Sequence, residues 1–264
     1  MNKDKRGFTL IEISLFLAVT GLLFLSVTIG VQNSIYQQRY NDAVQSFADF
    51  LGDIYSQVLN VQSDGTGRSE YAIYGKMLTF GEQVEEGGAG GQTVYAYDVL
   101  GFAAGHDVFS KGGTTMSLLK KVKADVLEYV DDEGYRTVGL TQEFVPKWGS
   151  KIQKVDSFTD FEGTILVVRN PSSGTVQTFV RDDKIDVKQL LLAASGENYS
   201  ILDSFLVAGE LGFTMKDVNF CINPDGDNEM NNRTDVRITK NASNASGVVI
   251  MPRDDASNVC NKDS

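Results

Sequence analysis

The chain has 264 residues, 42% apolar and 10% aromatic, which is enough for a packed core in one or two domains. Acids outnumber bases by 35 to 24, for a net charge of −11, so non-specific binding to a phosphate backbone is a poor default. One His and two Cys exclude a His-rich metal site, a zinc finger and a disulfide-dense scaffold.

Residues 1–7 are short and polar, with Lys3, Lys5 and Arg6 against Asp4. Residues 8–31 carry a single charge, Glu12, and residues 13–31 contain neither a charge nor a Pro. At about 1.5 Å per residue, 19 helical residues span nearly 30 Å, the thickness of a bilayer core. The basic flank is expected to stay cytoplasmic, with everything after Val31 outside. A cleaved secretory signal fits poorly, because the apolar run exceeds the usual 7–15 residues and no small-x-small site closes it. A plain signal anchor leaves Glu12 without a reason. A carboxylate in lipid costs a few kcal/mol and points to a function and a partner.

Gly7-Phe8-Thr9-Leu10-Ile11-Glu12 resembles the processing motif of type IV pilins and type II secretion pseudopilins. The resemblance covers about 25 residues and combines a basic leader, Gly, Phe, a Glu at fixed offset and an apolar helix. It implies that a prepilin peptidase cuts between Gly7 and Phe8, that Phe8 is then N-methylated, and that Glu12 becomes the fifth mature residue. It also implies that Glu12 of an incoming subunit neutralises a neighbour's terminal amine and sets axial register. Major pilins often carry a Pro in the second half of this helix. Here Ile29 stands in that region, no Pro precedes Pro146, and Gly21 and Gly30 are the weak points. That departure favours a pseudopilin or minor pilin.

Beyond the membrane, Val44, Phe47, Leu51, Ile54 and Val58 recur at spacings of 3 and 4, with Asp42, Gln45, Asp49 and Asp53 between them. The spacing predicts a continuous helix from Phe8 to about Asn60, roughly 80 Å long, whose outer half lays its stripe on a sheet. Ser63-Asp64-Gly65-Thr66-Gly67-Arg68 ends it. Strands are expected at 71–74, 77–80, 93–99, 135–145, 163–168, 175–180, 218–222, 235–239 and 247–251. Residues 85–91 read as a Gly-rich flexible loop, without the Lys or the spacing of a phosphate cradle. Residues 116–130, with apolar positions 116, 119, 122, 126 and 130, read as a second helix, and 188–194 as a short helix or a strand. The expected fold is α+β, a long N-terminal helix on an antiparallel head, which is also the layout the family implies. The divisions are a leader at 1–7, a membrane half at 8–31, an amphipathic half at 32–61 and a β-rich head at 62–264. The C-terminal strands are similar, more weakly, to pseudopilin heads of the FimT/GspH-like sort.

Few residues offer chemistry. Cys221 and Cys260 are the only thiols, and export favours a disulfide closing a loop of about 40 residues; two free buried thiols are the alternative. Pilins commonly close this region with a disulfide or a bound Ca²⁺. Asp225, Asp227 and Glu229, in Asn223-Pro224-Asp225-Gly226-Asp227-Asn228-Glu229, gather oxygens that suit Ca²⁺, although an acidic turn is the favoured account and the spacing is not that of an EF-hand. No other cofactor is expected. His106 beside Asp107 lacks the partners of a catalytic triad, and Asp131-Asp132-Glu133 and Asp182-Asp183 read as solvated turns.

The expected function is that of a structural subunit of a pilus or pseudopilus, not an enzyme. Its partners would be the peptidase, other pilin or pseudopilin subunits, the cytoplasmic membrane and the assembly platform. A head of about 200 residues would crowd a repeated shaft, which points to a minor or tip subunit. The alternative is a single-pass anchored extracellular binding module, an adhesin or lectin-like protein, which predicts an N-terminus still at Met1.

Overall fold

The computed structural model describes residues 9–60, 71–82, 92–102, 124–126, 128–130, 136–138, 140–155, 157, 159–170, 173–182, 214–224 and 233–261. They form an α+β fold of one long N-terminal helix, α1 (Leu10–Leu59), and antiparallel sheets. The chain divides into two compact units, Met1–Asp42 and Ala43–Ser264, and α1 begins in the first and ends in the second.

In the first unit the apolar side chains of α1 have no protein cover. Leu15, Phe16, Leu22, Leu23 and Phe24 are exposed, Phe24 by 73%. Nothing in residues 10–42 breaks the helix: there is no Pro, and Leu and Ala are strong helix formers. By length and composition this helix can cross a membrane.

In the second unit the expected stripe is the packed face. Val44, Phe47, Leu51, Ile54 and Val58 are buried, joined by Ala43, Ala48 and Tyr55. Each fully buried side chain of this size is worth about 1.5–3 kcal/mol. In chain order the strands are β1 (Tyr71–Glu82), β2 (Thr93–Phe102), β3 (Ala124–Val126), β4 (Glu128–Val130), β5 (Arg136–Val138), β6 (Leu140–Phe144), β7 (Lys151–Gln153), β8 (Gly163–Arg169), β9 (Val176–Arg181), β10 (Val218–Asn223), β11 (Thr234–Ile238) and β12 (Val248–Met251).

One sheet has the order β3-β2-β1-β8-β9, with β6 also paired to β2, and a second has the order β12-β11-β10-β7. All pairings within them are antiparallel. Phe47 of α1 meets both sheets. Its ring lies 5.4 Å from Phe144 on β6 and 5.2 Å, edge-on, from Phe220 on β10. Phe80 and Phe161 complete the cluster, 5.2 and 4.8 Å from Phe220. Tyr55 ties the helix to β9 through a 2.5 Å hydrogen bond between its hydroxyl and that of Thr178, and burial pushes its phenol up to about 12.

Three expectations change. The single strand expected at 135–145 is two, β5 paired with β4 and β6 paired with β2 in a different sheet, because the two segments find different cross-strand partners. Residues 71–74 and 77–80 belong to one strand, β1, which holds a register irregularity between Ile73 and Gly75. A Cβ at Gly75 would strike the Val167 carbonyl, so only Gly permits the close approach of β8. The helix expected at 116–130 is contradicted where it is described. Ala124–Val126 pairs with β2, and Glu128–Val130 pairs with Arg136–Val138 as a separate two-stranded sheet. Cross-strand pairing outweighs a spacing that also fits a helix. Residues 63–68, 85–91, 116–123 and 188–194 lie outside the described residues.

Candidate functional site

The candidate site begins where α1 begins. Thr9 precedes the helix, and Glu12 stands in its first turn. The Thr9 backbone N–H donates to Glu12 Oε2 at 2.8 Å, and the Thr9 hydroxyl donates to the same oxygen at 2.9 Å. In return the Glu12 N–H donates to Thr9 Oγ1 at 3.3 Å. This is a reciprocal capping box, which satisfies N–H groups that a helix start leaves open. The carboxylate also complements the positive end of the helix dipole. Glu12 Oε1 takes no hydrogen bond among the described residues. Gly7 and Phe8 lie outside them.

The polar side chains further along are satisfied within the helix. Ser14 donates to Ile11 O at 2.9 Å, Thr20 to Phe16 O at 2.6 Å, Ser26 to Leu22 O at 2.9 Å and Thr28 to Phe24 O at 2.8 Å. An unsatisfied hydroxyl in hydrocarbon is costly, and bonding back to the preceding turn removes that cost. The exposed apolar side chains and self-satisfied hydroxyls suit a lipid environment.

At the other end of the chain, Cys221 and Cys260 form a disulfide, with Cα atoms 5.5 Å apart. The bond staples the C-terminal segment to β10. Gln153, Cys221 and Asp235 are cross-strand partners on β7, β10 and β11, so one row of that sheet lies under the staple. Its opposite face carries Ile152, Phe220, Ile222, Val236 and Ile238, all buried. Arg233 is 1% exposed, and its guanidinium is caged by main-chain carbonyls. Nη1 donates to Lys154 O at 3.1 Å and Ser157 O at 2.9 Å; Nη2 donates to Val155 O at 2.9 Å and Cys260 O at 2.6 Å. Asn258 and Asn261 each donate to the Arg233 carbonyl, at 3.1 and 2.8 Å.

Asp235 is fully buried beside this cage. Burial pushes its carboxyl above the ordinary value, and Arg237, bonded to it at 2.7 Å, pulls the other way along with the Val259 N–H. The weak Ca²⁺ candidate, Asp225, Asp227 and Glu229, lies outside the described residues, as does His106. Among the described residues no three His, Cys, Asp or Glu side chains cluster to hold a metal.

Thr9 and Arg233 are not among the residues singled out from the sequence. Thr9 was readable, because Thr-x-x-Glu before an apolar run is a capping-box signature. Arg233 was not, because the carbonyls around it come from residues 154–157 and 260. Comparison with known proteins finds no matching family, curated relative or solved structure.

Proposed function

We propose that this chain is a prepilin-like structural subunit, cut after Gly7 and assembled into a type IV pilus or pseudopilus as a minor or tip component. The observation that carries the reading is the start of α1. A helix able to cross a membrane opens within the processing-type motif, and Glu12, in its first turn, is the one carboxylate of residues 8–31.

The capping box supports a specific role for Glu12. In the membrane an isolated carboxylate is expensive, and two Thr9 donors already engage its Oε2. Cleavage before Phe8 releases an amine next to Thr9. Oε1 is then the acceptor for an ammonium, either its own or that of a neighbouring subunit. The charge pair sets register while the uncovered apolar side chains of α1 pack on neighbouring helices. The acidic head stays outside with its C-terminus stapled. The size of the head, and the absence of Pro from residues 8–31, favour a minor or tip position over the shaft.

Substitution at Glu12 separates cap from charge. Glu12→Gln keeps a capping acceptor and loses the charge, whereas Glu12→Ala loses both. With processing by the peptidase intact in both, co-purification with partner subunits is expected to fail in both. Normal assembly of Glu12→Gln would sink the ion-pair role and leave only the cap.

A further inference from the structure

A turn far from α1 in sequence carries an unusual side chain. Trp148 lies between β6 and β7, in Val145-Pro146-Lys147-Trp148-Gly149-Ser150-Lys151. Its backbone is left-handed, with φ 60° and ψ 32°, and it is the one non-glycine residue of positive φ among the described residues. For a bulky side chain this conformation is strained, and it persists only where its surroundings impose it. Here they do. Ser150 is buried, and both its N–H and its hydroxyl donate to the Lys147 carbonyl, at 3.2 and 2.8 Å. On one side Phe144 stacks on Phe50 with ring centres 5.0 Å apart. On the other, Ile152 is fully buried and its N–H donates to Gln92 Oε1 at 3.0 Å.

The strained turn does not bury the indole. Trp148 is 52% exposed and Val145 is 51% exposed. Lys147 and Lys151 are exposed too, and Glu143 is the one acid in residues 143–151. In a chain of net charge −11, a rigid turn thus displays one aromatic and one aliphatic side chain between two lysines. Trp and Lys together suit the boundary of a bilayer. The indole sits at headgroup depth, the aliphatic group dips below it, and the ammonium groups meet lipid phosphates. Stacking on a nucleic-acid base would use the Trp but leave Val145 without a purpose.

We propose that the Val145–Lys151 turn is an interfacial docking element that seats the head on an anionic phospholipid surface. The occupant is a bilayer because the same chain carries a helix able to cross one, so a tethered head meets that surface at high effective concentration. The inference therefore rests on the membrane-anchored reading above.

Trp148 is the only Trp in the chain, so its emission reports this turn alone. The test reconstitutes the full chain into vesicles of phosphatidylcholine, with and without phosphatidylglycerol, containing lipids brominated near the headgroup end of the acyl chain. Flotation of the vesicles tests the anchor separately. The expected result is emission shifted to shorter wavelength and quenched, more strongly with phosphatidylglycerol. Lys147→Glu with Lys151→Glu is expected to lower the docked-to-free ratio on the anionic vesicles by about thirty-fold or more. Flotation without quenching would overturn the docking element and leave the anchor standing. Failure to float would remove the anchor and the docking element with it. Emission that responds to an oligothymidylate, and not to vesicles, would overturn the lipid assignment.

Discussion

The two ends of one helix meet different environments. From Leu10 to Val31, α1 exposes Leu, Ile, Phe and Val and bonds its own hydroxyls back to its carbonyls. From Ala43 to Val58 the same helix buries Phe47, Leu51, Ile54 and Val58 to 1% exposure against its own head. In the second stretch Ser46 and Ser56 still bond back, but Tyr55 reaches across to Thr178, and Gln142 donates to Asp53. Burial within the chain accounts for the apolar residues of the second stretch. Those of the first have no such cover, and by length and composition that stretch can cross a membrane.

The sharpest way to break this comparison is to remove one Phe from each stretch. Phe47→Ala is expected to destabilise the head by about 3–5 kcal/mol, because Phe47 packs on both sheets. Phe24→Ala should change the urea midpoint of the head by less than about 0.5 kcal/mol equivalent in the same detergent. Equal losses would mean that the first stretch also packs on protein. Next in size is the C-terminal staple: reduction, or Cys221→Ser with Cys260→Ser, is expected to cost the head about 2–4 kcal/mol and lower its thermal midpoint. An unchanged midpoint would show that the Arg233 cage holds the segment unaided.

The smallest effect is electrostatic. Asp235 has a raised carboxyl, so the folded state binds its proton more tightly than the unfolded state does. Its contribution is fully present below the ordinary value of 3.8 and is lost as the pH rises through the raised one. Asp235→Asn should flatten the stability-against-pH curve in that window alone and leave a constant offset above it from the lost Arg237 bond. A parallel curve across the whole range would rule out this source of pH dependence.

Much of the helix was legible because its pattern is long. A run of 19 uncharged residues and five apolar positions at 3–4 spacing leave little choice. The antiparallel head was legible from alternating Val, Phe and Ile in Val218–Asn223 and from the continuous apolar run of Gly163–Arg169. Residues 116–130 misled because apolar spacing of 3 and 4 also satisfies parts of two strands, while the Asp131-Asp132-Glu133-Gly134 turn that follows signals a hairpin. Strand β7 has three residues, too few to show a period. At the site, Glu12 stood out because a charge in an apolar run is rare, whereas its Thr9 partner is inconspicuous alone. The Arg233 cage and the Trp148 turn depend on contacts or backbone angles that no local pattern encodes.

The most direct test of the central claim is the mass of the mature N-terminus, read by mass spectrometry on protein purified from cells that hold a prepilin peptidase. The account predicts a chain beginning at N-methylated Phe8, without residues 1–7. A chain that still begins at Met1 would contradict it and favour a membrane-anchored binding module.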